Sequence, residues 1–156
     1  MKFDSAFLDA LNERVLIFDG ATGTQFQNAG LSQADFTLNP SASLPPKINA
    51  AAERLNGEYL EGCNEILVFT RPDVVEDVHA AYFTAGSDLA ETNTFGNTSI
   101  VMAEYNIAEI VYETSIAAAQ IARRAADRFT DRQRFVCGAL GPGTKLISLG
   151  QTTWNE

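Results

Sequence analysis

Ser87-Asp88-Leu89-Ala90 runs directly into Glu91-Thr92-Asn93-Thr94-Phe95. A short apolar run that ends in four consecutive hydrogen-bonding residues reads as a buried strand opening into a polar loop. Such residues are poor core material, because a buried polar group without a partner costs free energy. They are well suited to holding a small polar ligand.

Two other loops share this character. Asp19-Gly20-Ala21-Thr22-Gly23-Thr24 follows the apolar run Arg14-Val15-Leu16-Ile17-Phe18, and Gly141-Pro142-Gly143 follows Arg134-Phe135-Val136-Cys137-Gly138-Ala139-Leu140. Continuous apolar runs bounded by turn residues fit strands buried on both faces, as in parallel sheets. Helical patterns fill the intervals. A short amphipathic helix over Ser5 to Asn12 places Phe7, Leu8 and Leu11 on one side. Residues 21–70 read as a long irregular connection with a helical piece around Lys47 to Leu55.

Pro72 suits a first helical position, with Thr70 and Asp73 or Arg71 as the cap, and Gly86 suits the stop. Between them Val74, Val75, Val78, Ala81, Tyr82 and Ala85 form an apolar stripe. A longer helix from Ile107 to Phe129 carries Ile110, Val111, Thr114, Ala117, Ala118, Ile121 and Ala125 on one face.

The order strand, helix, strand, helix, strand predicts right-handed crossovers and a parallel α/β sheet. In such folds the working loops gather at the carboxyl ends of the strands. Three strands leave two open edges, so the chain reads as the front part of a larger protein.

The 156 residues carry a formal charge of −9, which argues against a nucleic-acid or anionic-membrane partner. No run reaches the ~18 apolar residues of a membrane helix. Two distant cysteines, Cys63 and Cys137, supply neither a disulfide framework nor a cysteine-only zinc site. A reducing, cytoplasmic setting is the simplest expectation.

Each loop also has a plainer reading. Asp19 could cap the next segment. Thr92, Asn93 and Thr94 could satisfy their own backbone, and the 141–143 loop could be a tight turn. Gly20 and Gly23 make neither a Walker A nor a dinucleotide fingerprint. His79 sits mid-helix among apolar positions and reads as structural. Cys63 would be reactive only with a lowered pKa, and Cys137 reads as a small buried residue. Lys145 could meet an anion but reads as solvated.

Taken in order, three segments resemble the homocysteine S-methyltransferase family: 15–24, then 83–95, then Gly141-Pro142. Residues 64–72, with 80–83, look most like its cobalamin-dependent methionine synthase branch. The resemblance implies an incomplete (β/α)8 TIM barrel, about its first three units, with residues 1–156 forming the N-terminal part of a homocysteine-binding domain.

It also implies that homocysteine binds at the strand ends. A zinc ion on three cysteines would activate the sulfur, and methylcobalamin, recharged from methyltetrahydrofolate on other domains, would supply the methyl group. Asp19 would bind the substrate ammonium, Gly20 and Ala21 would line the site, and Thr92 would hold the amino-acid end beside Glu91, Asn93 and Thr94.

The family's zinc motifs, an Asn-Cys and a Gly-Gly-Cys-Cys, have no match here. Cys63 stands where relatives often carry Asn. Zinc ligands are therefore expected outside this chain. The alternatives are a betaine- or S-methylmethionine-type methyltransferase, or a non-catalytic small-molecule-binding fragment.

Overall fold

The computed structural model describes residues 5–145, 147–151 and 153. Residues 1–4, 146, 152 and 154–156 lie outside the described residues.

Helix α1 (Ala6–Glu13) starts at Ser5, whose hydroxyl accepts from the Leu8 N–H at 3.2 Å. Its apolar side buries little: Leu8 and Leu11 are exposed, while Phe7 meets the Phe135 ring edge-on at 5.4 Å.

The region 21–70, expected to be irregular, is largely helical. It contains α2 (Thr22–Asn28), α3 (Pro46–Leu55) and α4 (Leu67–Thr70), with short 3₁₀ turns at Gln33–Phe36 and Asn64–Ile66. These helices bury few residues each, which explains why their pattern is faint. α3 carries the strongest signal, with Ile48, Ala51, Ala52 and Leu55 in a core shared with Leu60, Cys63, Met102 and Ile107.

Helix α5 (Pro72–Ala85) is capped by Arg71, with no capping box. Thr70 Oγ1 instead donates to the Asp35 carbonyl at 2.6 Å. The helix ends at Gly86, at φ 110°, where the Ser87 N–H reaches back to the Tyr82 carbonyl at 3.1 Å, a Schellman closure.

The buried face of α5 is Val75, Val78, His79, Ala80 and Phe83, turned away from the expected stripe, so that Ala81 and Ala85 stay exposed. The cause is packing on two sides at once, against α7 and against the sheet. After α6 (Ser99–Met102), α7 (Val111–Asp127) buries Thr114, Ala118, Ile121, Ala122, Ala125 and Ala126. These small residues let it lie close to the sheet.

Among the described residues the sheet has two parallel strands, β1 (Leu89–Glu91) and β2 (Phe135–Cys137), in register Leu89 with Phe135 and Glu91 with Cys137. Two strand expectations are corrected. Residues 14–18 are not a regular strand, and they are not buried: Val15 is 83 % exposed and Ile17 59 %.

The segment still runs beside β1. Asp88 and Leu89 donate to the Ile17 carbonyl at 2.7 and 3.2 Å, and Asp19 donates to the Leu89 carbonyl at 3.1 Å. Its other edge has no partner among the described residues, so neither its ladder nor its burial is complete. β2 is likewise shorter than 134–140, because beyond Cys137 the chain meets the Thr92 side chain instead of a strand.

An ionic knot holds the opposite end of this assembly. Arg14 grips the buried Asp88 carboxylate through two bonds of 2.8 Å, Arg132 adds one at 2.7 Å, and the Ile17 N–H another at 3.0 Å. Arg134 lies between the Phe83 and Phe129 rings, 5.9 and 5.6 Å from their centroids. None of the described helices is long and apolar enough to cross a membrane.

Candidate functional site

Because the 14–18 segment and β1 run side by side in the same direction, their exits, Asp19-Gly20-Ala21 and Glu91-Thr92-Asn93, come out together. They enclose a cavity of about 460 Å³. Six of the seven residues singled out from the sequence line it: Asp19, Gly20, Ala21, Glu91, Thr92 and Asn93. Thr94 does not; it stands behind the wall.

Asp19 does not cap α2, whose N-cap is Ala21 and which has no side-chain cap. The Asp19 Oδ2 accepts from the Glu91 N–H at 3.0 Å. Burial, opposed by that hydrogen bond and reinforced by the Glu91 charge, pushes its pKa up to about 6. The carboxylate is therefore ionised at neutral pH but poorly compensated, and a cationic group placed against it would relieve it.

The Thr92 hydroxyl can be assigned by counting protons. Thr94 Oγ1 spends its proton on the Ala139 carbonyl at 2.7 Å, so at the 2.7 Å contact between the two hydroxyls Thr92 is the donor. Thr92 Oγ1 also accepts from the Ala139 N–H at 3.1 Å. One lone pair remains, so toward a ligand in the cavity Thr92 can only accept. It suits an ammonium and not a carboxylate.

Asn93 donates through Nδ2 to the Asn64 carbonyl at 2.7 Å, which ties the loop to the 3₁₀ turn. Glu91 is exposed at the rim.

The third loop contributes mainly packing. Gly141 donates to the Phe95 carbonyl at 2.8 Å, and a Cβ on it would stand 2.6 Å from the Phe95 ring. Lys145 is exposed. The cavity also takes Phe18, Phe26, Phe95, Asn64, Glu65 and Ala139. Asn64 and Glu65 were missed because their run, Gly62-Cys63-Asn64-Glu65, looks like an ordinary loop; the one signal was its polarity between two apolar stretches.

The cysteines and the histidine play no part in the site. Cys63 is fully buried, and burial, helped by the Glu65 charge, pushes its thiol up to about 12. The condition set for its reactivity is therefore not met. Cys137 is only half-buried, in β2. His79 is fully buried with both ring nitrogens unpartnered, and burial lowers its pKa to about 4, so it is neutral. Among the described residues no group of three His, Cys, Asp or Glu could hold a metal ion. The residues present do not fit a zinc site.

The family model for homocysteine S-methyltransferase matches residues 16–156. This chain belongs to the homocysteine S-methyltransferase family. Among homocysteine S-methyltransferase relatives, it is 43 % identical over 155 residues to a methionine synthase of Mycobacterium leprae, matching 98 % of this chain and 11 % of that protein. It is 44 % identical over 154 residues to the methionine synthase of Mycobacterium tuberculosis, covering 97 % and 11 %. The chain thus spans about a tenth of the length of these relatives.

Its fold is similar to that of the homocysteine methyltransferase MmuM from Escherichia coli in its oxidized form, at a TM-score of 0.62 and 20 % identity. That match covers 89 % of this chain and 41 % of the other. The metallated form gives 0.59 and 18 %, covering 86 % and 40 %. The expected α/β class therefore holds at the level of the fold.

Proposed function

We propose that this chain forms the homocysteine-binding part of a methyltransferase of the methionine synthase type. The observation that carries the reading is the cavity in which Asp19, at its raised pKa, and the acceptor-only Thr92 face the same space. Both are acceptors suited to the ammonium of an amino acid. The apolar Phe18, Phe26 and Phe95 suit a thioalkyl side chain. The identity to methionine synthases over nearly the whole chain supports the same assignment.

In this reading the two strands and the 14–18 segment belong to the first units of a (β/α)8 barrel within a longer protein. Thiol activation by zinc and methyl delivery by cobalamin and methyltetrahydrofolate fall to residues outside this chain. The contribution of this chain is to bind and orient the substrate: Asp19 and Thr92 fix its amino end and the aromatic wall excludes water from its side chain.

Calorimetric titration of the protein with homocysteine tests the reading. Binding that is weakened in Asp19→Ala supports it, and the absence of any homocysteine-dependent heat in the parent protein would refute it.

A further inference from the structure

Asn93 and Phe95 line the candidate cavity from the loop that follows β1, and this loop is tied to two other segments. Toward the end of the chain, Thr94 Oγ1 donates to the Ala139 carbonyl at 2.7 Å, and the Gly141 N–H donates to the Phe95 carbonyl at 2.8 Å. Toward the start, Asn93 Nδ2 donates to the Asn64 carbonyl and the Gly96 N–H donates to Glu65 Oε1, both at 2.7 Å.

The peptide unit between Phe95 and Gly96 is therefore held at both of its polar ends. Glu65 takes its N–H, and Gly141 supplies the donor to its carbonyl. A peptide unit is planar, so two such bonds fix its orientation and, with it, the direction in which the Phe95 side chain leaves the backbone.

Glu65 is a firm anchor for one of these bonds. It is 8 % exposed, and its neighbours in the chain, Cys63, Ile66 and Leu67, are fully buried. Gly96 matches it for reasons of space, since its φ is not positive and its backbone does not call for glycine. A Cβ there would stand 2.8 Å from Glu65 Oε1 and 3.3 Å from Cδ. A side chain at 96 must push the carboxylate aside and break the bond.

We propose that Glu65 is a positioning residue that acts through Gly96 on Phe95; this rests on the reading of the cavity as an amino-acid site. Its bond to the Gly96 N–H keeps the Phe95 ring in the apolar wall that receives the substrate's side chain. What the position needs is an acceptor oxygen, and the charge is secondary.

Homocysteine titrations by calorimetry test this on the parent protein, Glu65→Gln, Glu65→Ala and Gly96→Ala. Glutamine keeps an oxygen for the Gly96 N–H, and alanine at 65 does not. Glu65→Ala and Gly96→Ala should each weaken binding about tenfold, while Glu65→Gln should stay within about twofold of the parent. Loss in Glu65→Gln equal to that in Glu65→Ala would mean that the charge itself acts, and overturns the proposal. So does parent-like binding by Glu65→Ala or Gly96→Ala. Gly96→Ala carries the test if Glu65→Ala does not fold.

A double-mutant cycle separates positioning from plain support of the fold. With Phe95→Ala already present, removing Glu65 should change affinity less than about twofold, because the two act as one unit. An undiminished tenfold effect there refutes action through Phe95. If the parent binds no homocysteine, the functional reading falls and this inference with it. If the parent binds and only the Glu65 pattern fails, the cavity assignment stands alone.

Discussion

Asp19 Oδ2 accepts a hydrogen bond from the backbone N–H of Glu91 at 3.0 Å, and this contact joins the exit of the 14–18 segment to the exit of β1. The two residues are 72 positions apart in the chain, yet Glu91 helps set the chemistry of Asp19. The amide lowers the Asp19 pKa and the Glu91 charge raises it, while burial dominates and leaves it at about 6.

The raised pKa predicts two opposite pH effects. An ammonium ligand needs the ionised carboxylate, so homocysteine affinity should fall as pH drops below about 6. Asp19→Ala should cost about 1.5–3 kcal/mol of binding at pH 7. Calorimetric titrations from pH 5 to 8 would show this, and a flat profile in the parent protein would remove Asp19 from the site.

Folding stability runs the other way. A folded-state pKa above the unfolded value of 3.8 means that the folded form holds the proton more tightly. That contribution is fully present below 3.8 and is lost as pH rises through about 6. Asp19→Asn, whose amide oxygen can still accept from Glu91, should therefore raise the melting temperature at pH 7.5 and leave it nearly unchanged at pH 4.

Thr92 should matter to stability independently of any ligand. Thr92→Val strips the Ala139 N–H of its acceptor and Thr94 of a donor inside a buried cluster. A loss of about 1–3 kcal/mol in urea unfolding is expected. Thr92→Ser, which keeps the hydroxyl, should recover most of it.

The Asp88 knot is expected to make the fold acid-sensitive. Arg14 first, then the Ile17 amide and Arg132, hold the Asp88 carboxyl well below the usual carboxylate range. A depressed folded pKa stabilises above the unfolded value and is lost as pH falls toward the folded one, so this contribution is present above about pH 4 and fades in stronger acid. Asp88→Ala leaves Arg132 and the buried Arg134 with Asp131 as their remaining acid partner and should cost about 3 kcal/mol. Arg14→Ala, at a position 41 % exposed, should cost less. Denaturant melts at pH 7 would rank the two.

The uncovered apolar residues predict association. Val15 and Leu140 are 83 % and 79 % exposed, and Ile17 and Phe18 lie beside Val15. Such a surface on the open side of a ladder invites self-pairing. Sedimentation velocity should show concentration-dependent oligomers that diminish in Val15→Lys/Leu140→Lys. A parent protein that stays monomeric across the concentration range would contradict this.

Much of the candidate site was legible because it lies where apolar runs end. Asp19, Glu91, Thr92 and Asn93 are polar residues directly after apolar runs, and parallel topology alone brings such exits together. Asn64 and Glu65 were not legible, since they sit in a 3₁₀ turn whose place at the cavity depends on Asn93 and Gly96 reaching across to it. The same limit applies to Arg14-Val15-Leu16-Ile17-Phe18. Its composition specifies a buried strand, but burial requires neighbours on both sides, and the described residues supply only one.

Local chemistry, read along the chain, determined the α/β class, the starts of α1 and α5, the Gly86 stop and the family. Each depends on residues a few positions apart. The tertiary structure alone decided that Asp88 is satisfied by three arginines while Glu65 takes the Gly96 N–H at the cavity wall, that Thr92 can only accept and that Cys63 is inert. Those properties depend on partners that can be tens of positions away, and on burial, which no stretch of sequence carries by itself.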